Sequence, residues 1–291
     1  MSVQRKAKYH ALLAAGLYAL SAPLSKLLLG EMMPRMMAAL LYLGAGLGMA
    51  CVALFGKSTG VASREQPLAK SDWPYIAAMI ALDVLAPILL LMGLNMTTAA
   101  NISLLNNFEI VATSVIALLL FKESITGRLW MAIAVITAAC MILSVEDAGS
   151  FSFSIGSLYA LLACLCWGLE NNCTRKLSLK NPLQIVVIKG IGSGAGAFGI
   201  AALLQETAVA LWPVAAALLL GFVAYGLSIY FYVRAQRELG ALRTSAYYAV
   251  APFVSSALSL VIFRDALTLS FFIGLGLMVL GVRLVTAEQK G

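Results

Sequence analysis

The sequence Phe121-Lys122-Glu123-Ser124-Ile125-Thr126 returns 142 positions later as Phe263-Arg264-Asp265-Ala266-Leu267-Thr268, and each copy sits between two long apolar stretches. At the same spacing Ser103 falls on Ser245, Asn106-Asn107 on Tyr248-Ala249, and Thr113-Ser114 on Ser255-Ser256. Further upstream the offset grows slightly. Pro34, Gly44, Gly46 and Gly48 match Pro182, Gly192, Gly194 and Gly196, while Tyr18-Ala19 and Lys26 match Trp167-Gly168 and Arg175. The same order of segments in both halves marks a duplicated chain. The two units, residues 1–148 and 149–291, join near Glu146 to Phe153.

The solvent follows from composition. A chain that is 62% hydrophobic and 11% charged cannot hide its apolar surface inside a soluble core of 291 residues, so much of it must face lipid. Crossing a hydrocarbon layer takes about 20 residues, and ten apolar runs qualify. They lie near 9–29, 36–55, 73–94, 97–121, 129–146, 154–175, 182–203, 211–233, 241–262 and 268–287. The expected fold is an all-α integral membrane protein of ten transmembrane helices.

Charge placement tests that count independently. With both ends in the cytoplasm, sixteen basic residues, from Arg5, Lys6 and Lys8 through Lys122, Arg128, Lys176 and Arg234 to Lys290, fall on the inner side, and two, Arg35 and Arg264, on the outer. That is the positive-inside pattern. It accounts for the net charge of +7 without a nucleic-acid partner. Five helices per half is an odd number, so the halves insert with opposite orientation. Inverted repeats of this kind let a central site open alternately to either side of the membrane.

Other classes lack material. The chain has one histidine, His10, and its five cysteines have no zinc-ligand spacing, so no metal site, cofactor or catalytic constellation is expected. It carries no phosphate-binding loop for nucleotide hydrolysis.

Charged residues inside the spans each cost roughly 2.5–3.5 kcal/mol at mid-membrane, so they point to a transport path. They are Lys26, Asp83, Glu109, Glu170 and Lys189. Asp83 and Glu109 belong near the midplane of an adjacent antiparallel pair and are the candidates for substrate binding or proton coupling, with a buried structural carboxylate as the competing reading. Glu170 and Lys189, about 8–10 Å from the cytoplasmic ends of neighbouring helices, read as a gating or structural ion pair. Lys26 either snorkels to the outer interface or meets a substrate carboxylate.

The fourth span carries a polar stripe, Asn101, Ser103, Asn106, Asn107, Glu109, Thr113 and Ser114, and its repeat partner offers Tyr247, Tyr248 and Ser255-Ser256. Such stripes line water or join helices. Tyr18 and Trp167 add aromatic candidates for the cavity. Pro23, Pro87 and Pro252 each remove a helix hydrogen bond and are the candidate hinges. The two Gly-x-Gly-x-Gly runs allow close helix contact.

The inverted five-helix halves, the Trp167-Gly168 dipeptide and the Phe-Lys-Glu and Phe-Arg-Asp helix ends together resemble the drug/metabolite transporter superfamily, EamA branch, over the full length. The resemblance implies a central cavity built from helices 1–4 and 6–9, with helices 5 and 10 peripheral. It also implies export of small metabolites, neutral or aromatic amino acids first, from a bacterial inner membrane. The partners expected are a small-molecule substrate and the lipid bilayer, for a chain able to act as a monomer. Transport of a drug, purine or amine with proton coupling, and a channel-like pore, are the alternatives.

Overall fold

The computed structural model describes residues 3–58, 68–122, 125–147, 152–177, 180–206, 210–265 and 268–288. The repeated motif therefore loses Glu123-Ser124 and Ala266-Leu267, which lie outside the described residues.

Thirteen α-helices follow in order among the described residues: α1 (Val3–Ala19), α2 (Ser21–Leu28), α3 (Pro34–Ser58), α4 (Trp73–Met96), α5 (Ala99–Leu105), α6 (Phe108–Phe121), α7 (Gly127–Ser144), α8 (Ile155–Leu177), α9 (Pro182–Leu203), α10 (Leu211–Leu220), α11 (Ser228–Tyr248), α12 (Ala251–Phe263) and α13 (Leu269–Glu288). A π-helical turn, Gly221–Leu227, carries α10 into α11. The joint between the halves also holds a short antiparallel pairing of β1 (Val145–Asp147) with β2 (Ser152–Phe153), a feature the helical periodicity did not announce.

Seven helical stretches in the described residues are long and apolar enough to cross a membrane. The bundle wears its apolar side chains outward, with Leu203 84% and Phe55 77% exposed. In water that surface would be untenable, and against lipid tails it costs nothing.

Two of the expected spans are broken rods. The first divides at Leu20 into α1 and α2, three residues before Pro23, whose ring cannot donate to the carbonyl of Ala19. The fourth, read from sequence as one helix over 97–121, divides at Asn106-Asn107 into α5 and α6. At that break Asn107, Glu109 and Ile110 donate to the third carbonyl back instead of the fourth. The tight turn frees the Leu105 carbonyl, and the Cys164 thiol lies 3.6 Å from it.

α11 is not a straight rod. The rings of Tyr232 and Tyr248 are 4.9 Å apart, whereas sixteen residues of straight helix would separate them by about 24 Å. The chain must turn back between them.

The repeat is legible in backbone detail. Lys122 and Arg264, 142 positions apart, cap α6 and α12 in the left-handed conformation, at φ 54° and 53°. Four residues on, Thr126 and Thr268 cap α7 and α13, accepting from Leu129 at 3.3 Å and Phe271 at 3.1 Å.

Glycines bring α3 and α9 together backbone to backbone. A Cβ on Gly46 would sit 2.5 Å from the Ile191 nitrogen, and one on Gly194 would sit 2.6 Å from the Leu43 nitrogen. The two contacts are related by the 148-residue offset of the glycine runs. Gly44 meets Leu218 and Gly221 meets Leu41 in the same manner. Gly48, Gly192 and Gly196 instead make room for the side chains of Phe222, Ile80 and Val84.

Candidate functional site

A cavity of about 380 Å³ opens among α1, α3, α6, α8, α9, the π-turn, α11 and α12. It begins at the α5–α6 break and continues past Thr113 and Ala117 to Thr174, Leu129 and Val285. Because Asn106 and Asn107 interrupt the helix, two side-chain amides and the first-turn carboxylate of Glu109 face one space at its inner end. Glu109 accepts from Asn171 at 2.6 Å. Asn107 donates to the Leu104 carbonyl at 3.2 Å. The side-chain oxygens of Asn106 and Asn107 are buried without a donor. An unsatisfied buried acceptor costs about 1–3 kcal/mol, so these two stand out.

Along the wall, Lys189 of α9 lies 2.9 Å from Asp83 of α4 and 2.9 Å from Glu170 of α8. Tyr42 of α3 donates to the other Asp83 oxygen at 3.0 Å, and Thr174 donates to Glu170. One ammonium thus ties three helices through two carboxylates. Pairing of this kind offsets the cost of burying the three charges.

Five tyrosines form a connected aromatic wall. Tyr42 meets Tyr225 at 5.4 Å, Tyr225 meets Tyr18 at 5.9 Å, Tyr18 meets Tyr248 at 5.6 Å, and Tyr248 meets Tyr232. Ser21 anchors the Tyr225 hydroxyl at 3.0 Å, and Ser228 lies 3.4 Å from that of Tyr248. Trp167 completes the lining from α8.

Beyond the α5–α6 break, polar contacts join the helices. Ser103 of α5 and Ser255 of α12 place their hydroxyls 3.0 Å apart. Arg35, at the start of α3, pairs with Glu206 at 2.6 Å, and the other Glu206 oxygen accepts from the Met36 amide at 3.0 Å.

Of the residues singled out in the sequence, Tyr18, Asn106, Asn107, Glu109, Thr113, Ser114, Trp167, Glu170, Lys189, Tyr248 and Pro252 line the cavity. Four substrate candidates do not. Asp83 is 0% exposed, held behind the wall by Lys189 and Tyr42, and does not meet Glu109. Asn101 donates to the Leu143 carbonyl at 3.2 Å and so ties α5 to α7. Tyr247 packs against the small cluster of Ala7, Ala11, Ala235 and Leu239. Lys26 is turned inward onto the carbonyls of Leu94, Asn95 and Thr97, where α4 ends, because those carbonyls lack helical partners.

The prolines also differ from one another. Pro87 lies within an unbroken α4, whereas Pro252 stands in the first turn of α12, where its missing N–H costs nothing. Sequence reasoning missed Tyr42, Asn171, Asn172, Tyr232 and Glu206. The Glu170-Asn171-Asn172 run, a polar patch within an apolar helix, was the available signal for two of them.

A lipid-facing helical bundle enclosing a polar, aromatic-walled cavity defines a membrane transporter. Comparison with known proteins specifies the kind: the chain belongs to the EamA-like transporter family, which matches residues 6–145 and again 154–287. An uncharacterised transporter of Methanothermobacter thermautotrophicus is 25% identical over 266 residues, covering 85% of this chain and 76% of its own. A solved crystal structure superposes with a TM-score of 0.69 over 98% of both chains at 19% identity, a likeness of fold.

Proposed function

We propose that this transporter exports small metabolites, such as neutral or aromatic amino acids, by alternating access at the cavity. The observation that carries the reading is the cavity itself: a compartment lined by polar side chains and walled by tyrosines, with the Ser103–Ser255 and Arg35–Glu206 contacts beyond its Asn106-Asn107 end taken as its closure.

In this reading ten spans form two inverted five-helix halves, residues 1–148 and 149–291, within a bacterial inner membrane. The reciprocal Gly46–Ile191 and Gly194–Leu43 contacts support an axis between the halves, as does the family match in two stretches. The basic-residue bias supports cytoplasmic ends, and with that orientation the Ala117 and Thr174 end of the cavity lies toward the cytoplasm, as an exporter awaiting substrate requires.

Efflux down a gradient needs no further group. Proton exchange is a second reading, favoured by one observation: the Glu109 carboxylate lies in the cavity beside a neutral donor, Asn171, with no cation on it among the described residues. The test is uptake of labelled amino acids, nucleosides and cationic drugs into proteoliposomes, with and without a pH gradient. Saturable uptake with exchange between labelled and unlabelled substrate is expected. Flux that rises linearly with concentration and shows no exchange indicates a pore and overturns the carrier.

A further inference from the structure

We infer that the group read at the closed end of the cavity is a protonated amine bearing N–H donors, held by Glu109 and the side-chain carbonyl of Asn107 against the Tyr18–Tyr248 wall. The inference rests on the transporter reading and narrows its substrate class from small metabolites in general to amine-bearing ones.

Charge comes first. Among the described lining residues Lys189 is the one cation, and Asp83 and Glu170 both lie 2.9 Å from it. Among the described lining residues no unpaired cation is left to lead recognition through a ligand carboxylate, so the amine of a solute is the group the site can read. Glu109, by contrast, faces the neutral amide of Asn171, and in its ionised form leaves a negative charge uncompensated in a low-dielectric space. A cation is what such a site attracts.

Hydrogen-bonding capacity adds a second condition. The Asn107 side-chain nitrogen donates to the Leu104 carbonyl, which fixes the amide and leaves its oxygen as the group on offer. That oxygen has no donor, and Asn107 is 2% exposed. Asn106 beside it is 9% exposed, and its oxygen is equally without a donor. Both residues line the cavity together with Glu109, so a ligand that satisfies those oxygens must donate. An ammonium with three N–H groups does this, whereas a quaternary ammonium has none to give.

The wall supplies the third condition. The tilted Tyr18–Tyr248 pair, with ring centres 5.6 Å apart, presents aromatic surface to the same space. It suits the apolar body of an amine and adds cation–π attraction.

Three probes of one size test the inference on the purified full-length protein: phenethylamine, phenyltrimethylammonium and phenylacetate. Binding is read from tryptophan fluorescence and calorimetry, and uptake from proteoliposomes. Phenethylamine is expected to bind at least tenfold more tightly than either other probe. Glu109→Gln should weaken phenethylamine at least tenfold, and Asn107→Leu should weaken it while leaving phenyltrimethylammonium unchanged. Phenylacetate or phenyltrimethylammonium binding as well as phenethylamine overturns the inference. So does an unaltered phenethylamine affinity in a folded Glu109→Gln protein. The wild-type ranking alone decides the matter if that variant does not fold. Phenethylamine bound with this selectivity but never carried upholds the amine site and sinks the transporter reading. Saturable transport of other solutes that phenethylamine does not inhibit does the reverse.

Discussion

Lys122 and Arg264 stand 142 residues apart and end α6 and α12 in the same left-handed conformation, φ 54° and 53°. Neither is a glycine, and that conformation is uncommon for other residues. A shared departure at matched positions is therefore a stronger mark of duplication than the shared apolar composition around it. The Thr126 and Thr268 caps four residues on extend the match.

The glycine contacts yield the first prediction. Gly46→Val and Gly190→Val each force a side chain into the backbone of the facing helix, where overpacking costs about 1–3 kcal/mol or more. Both variants should lose several degrees of unfolding temperature or fail to accumulate. Gly16→Ala and Gly276→Ala, which open onto empty space, should unfold with the wild type in the same thermal assay.

Lys189→Met leaves Asp83 and Glu170 buried without their shared cation, a loss of about 3–5 kcal/mol. Thermal unfolding should show it as strongly destabilised. Adding Asp83→Asn and Glu170→Gln to the same chain should recover much of that loss. If the triple variant is no more stable than the single, the cluster is not held by charge pairing.

Lys26 provides a discriminating case. Its ammonium lies 2.9 Å from the Thr97 carbonyl and also reaches Leu94, and hydrogen bonds to charged groups are worth about 1.5–3 kcal/mol, less here because Lys26 is partly exposed. Lys26→Met should lower the unfolding temperature while leaving substrate KM unchanged. A KM raised tenfold at unaltered stability would return Lys26 to the binding site.

These residues also mark where sequence reasoning reached its limit. The glycine runs were legible because small residues at a fixed spacing have few other uses in a lipid-facing helix. The charged residues were legible because burial in lipid makes them costly. The break at Asn106-Asn107 was not, since a polar stripe along a helix and a polar turn between two helices have the same composition. Lys26 misled because a lysine near a helix end snorkels outward unless a neighbouring helix presents free carbonyls, and only the fold shows that α4 ends there. Tyr42 carried no signal at all: one tyrosine in an apolar helix becomes a partner of Asp83 only through the contact of α3 with α4.

The central claim is that the closed end must open for transport. A disulfide between Ser103→Cys and Ser255→Cys, whose wild-type hydroxyls are 3.0 Å apart, would hold it shut. With cross-linking quantified by mass spectrometry, uptake of labelled substrate into proteoliposomes should vanish in the oxidised double variant, return on reduction, and persist in each single variant. Undiminished uptake by the fully cross-linked protein would contradict alternating access at this cavity.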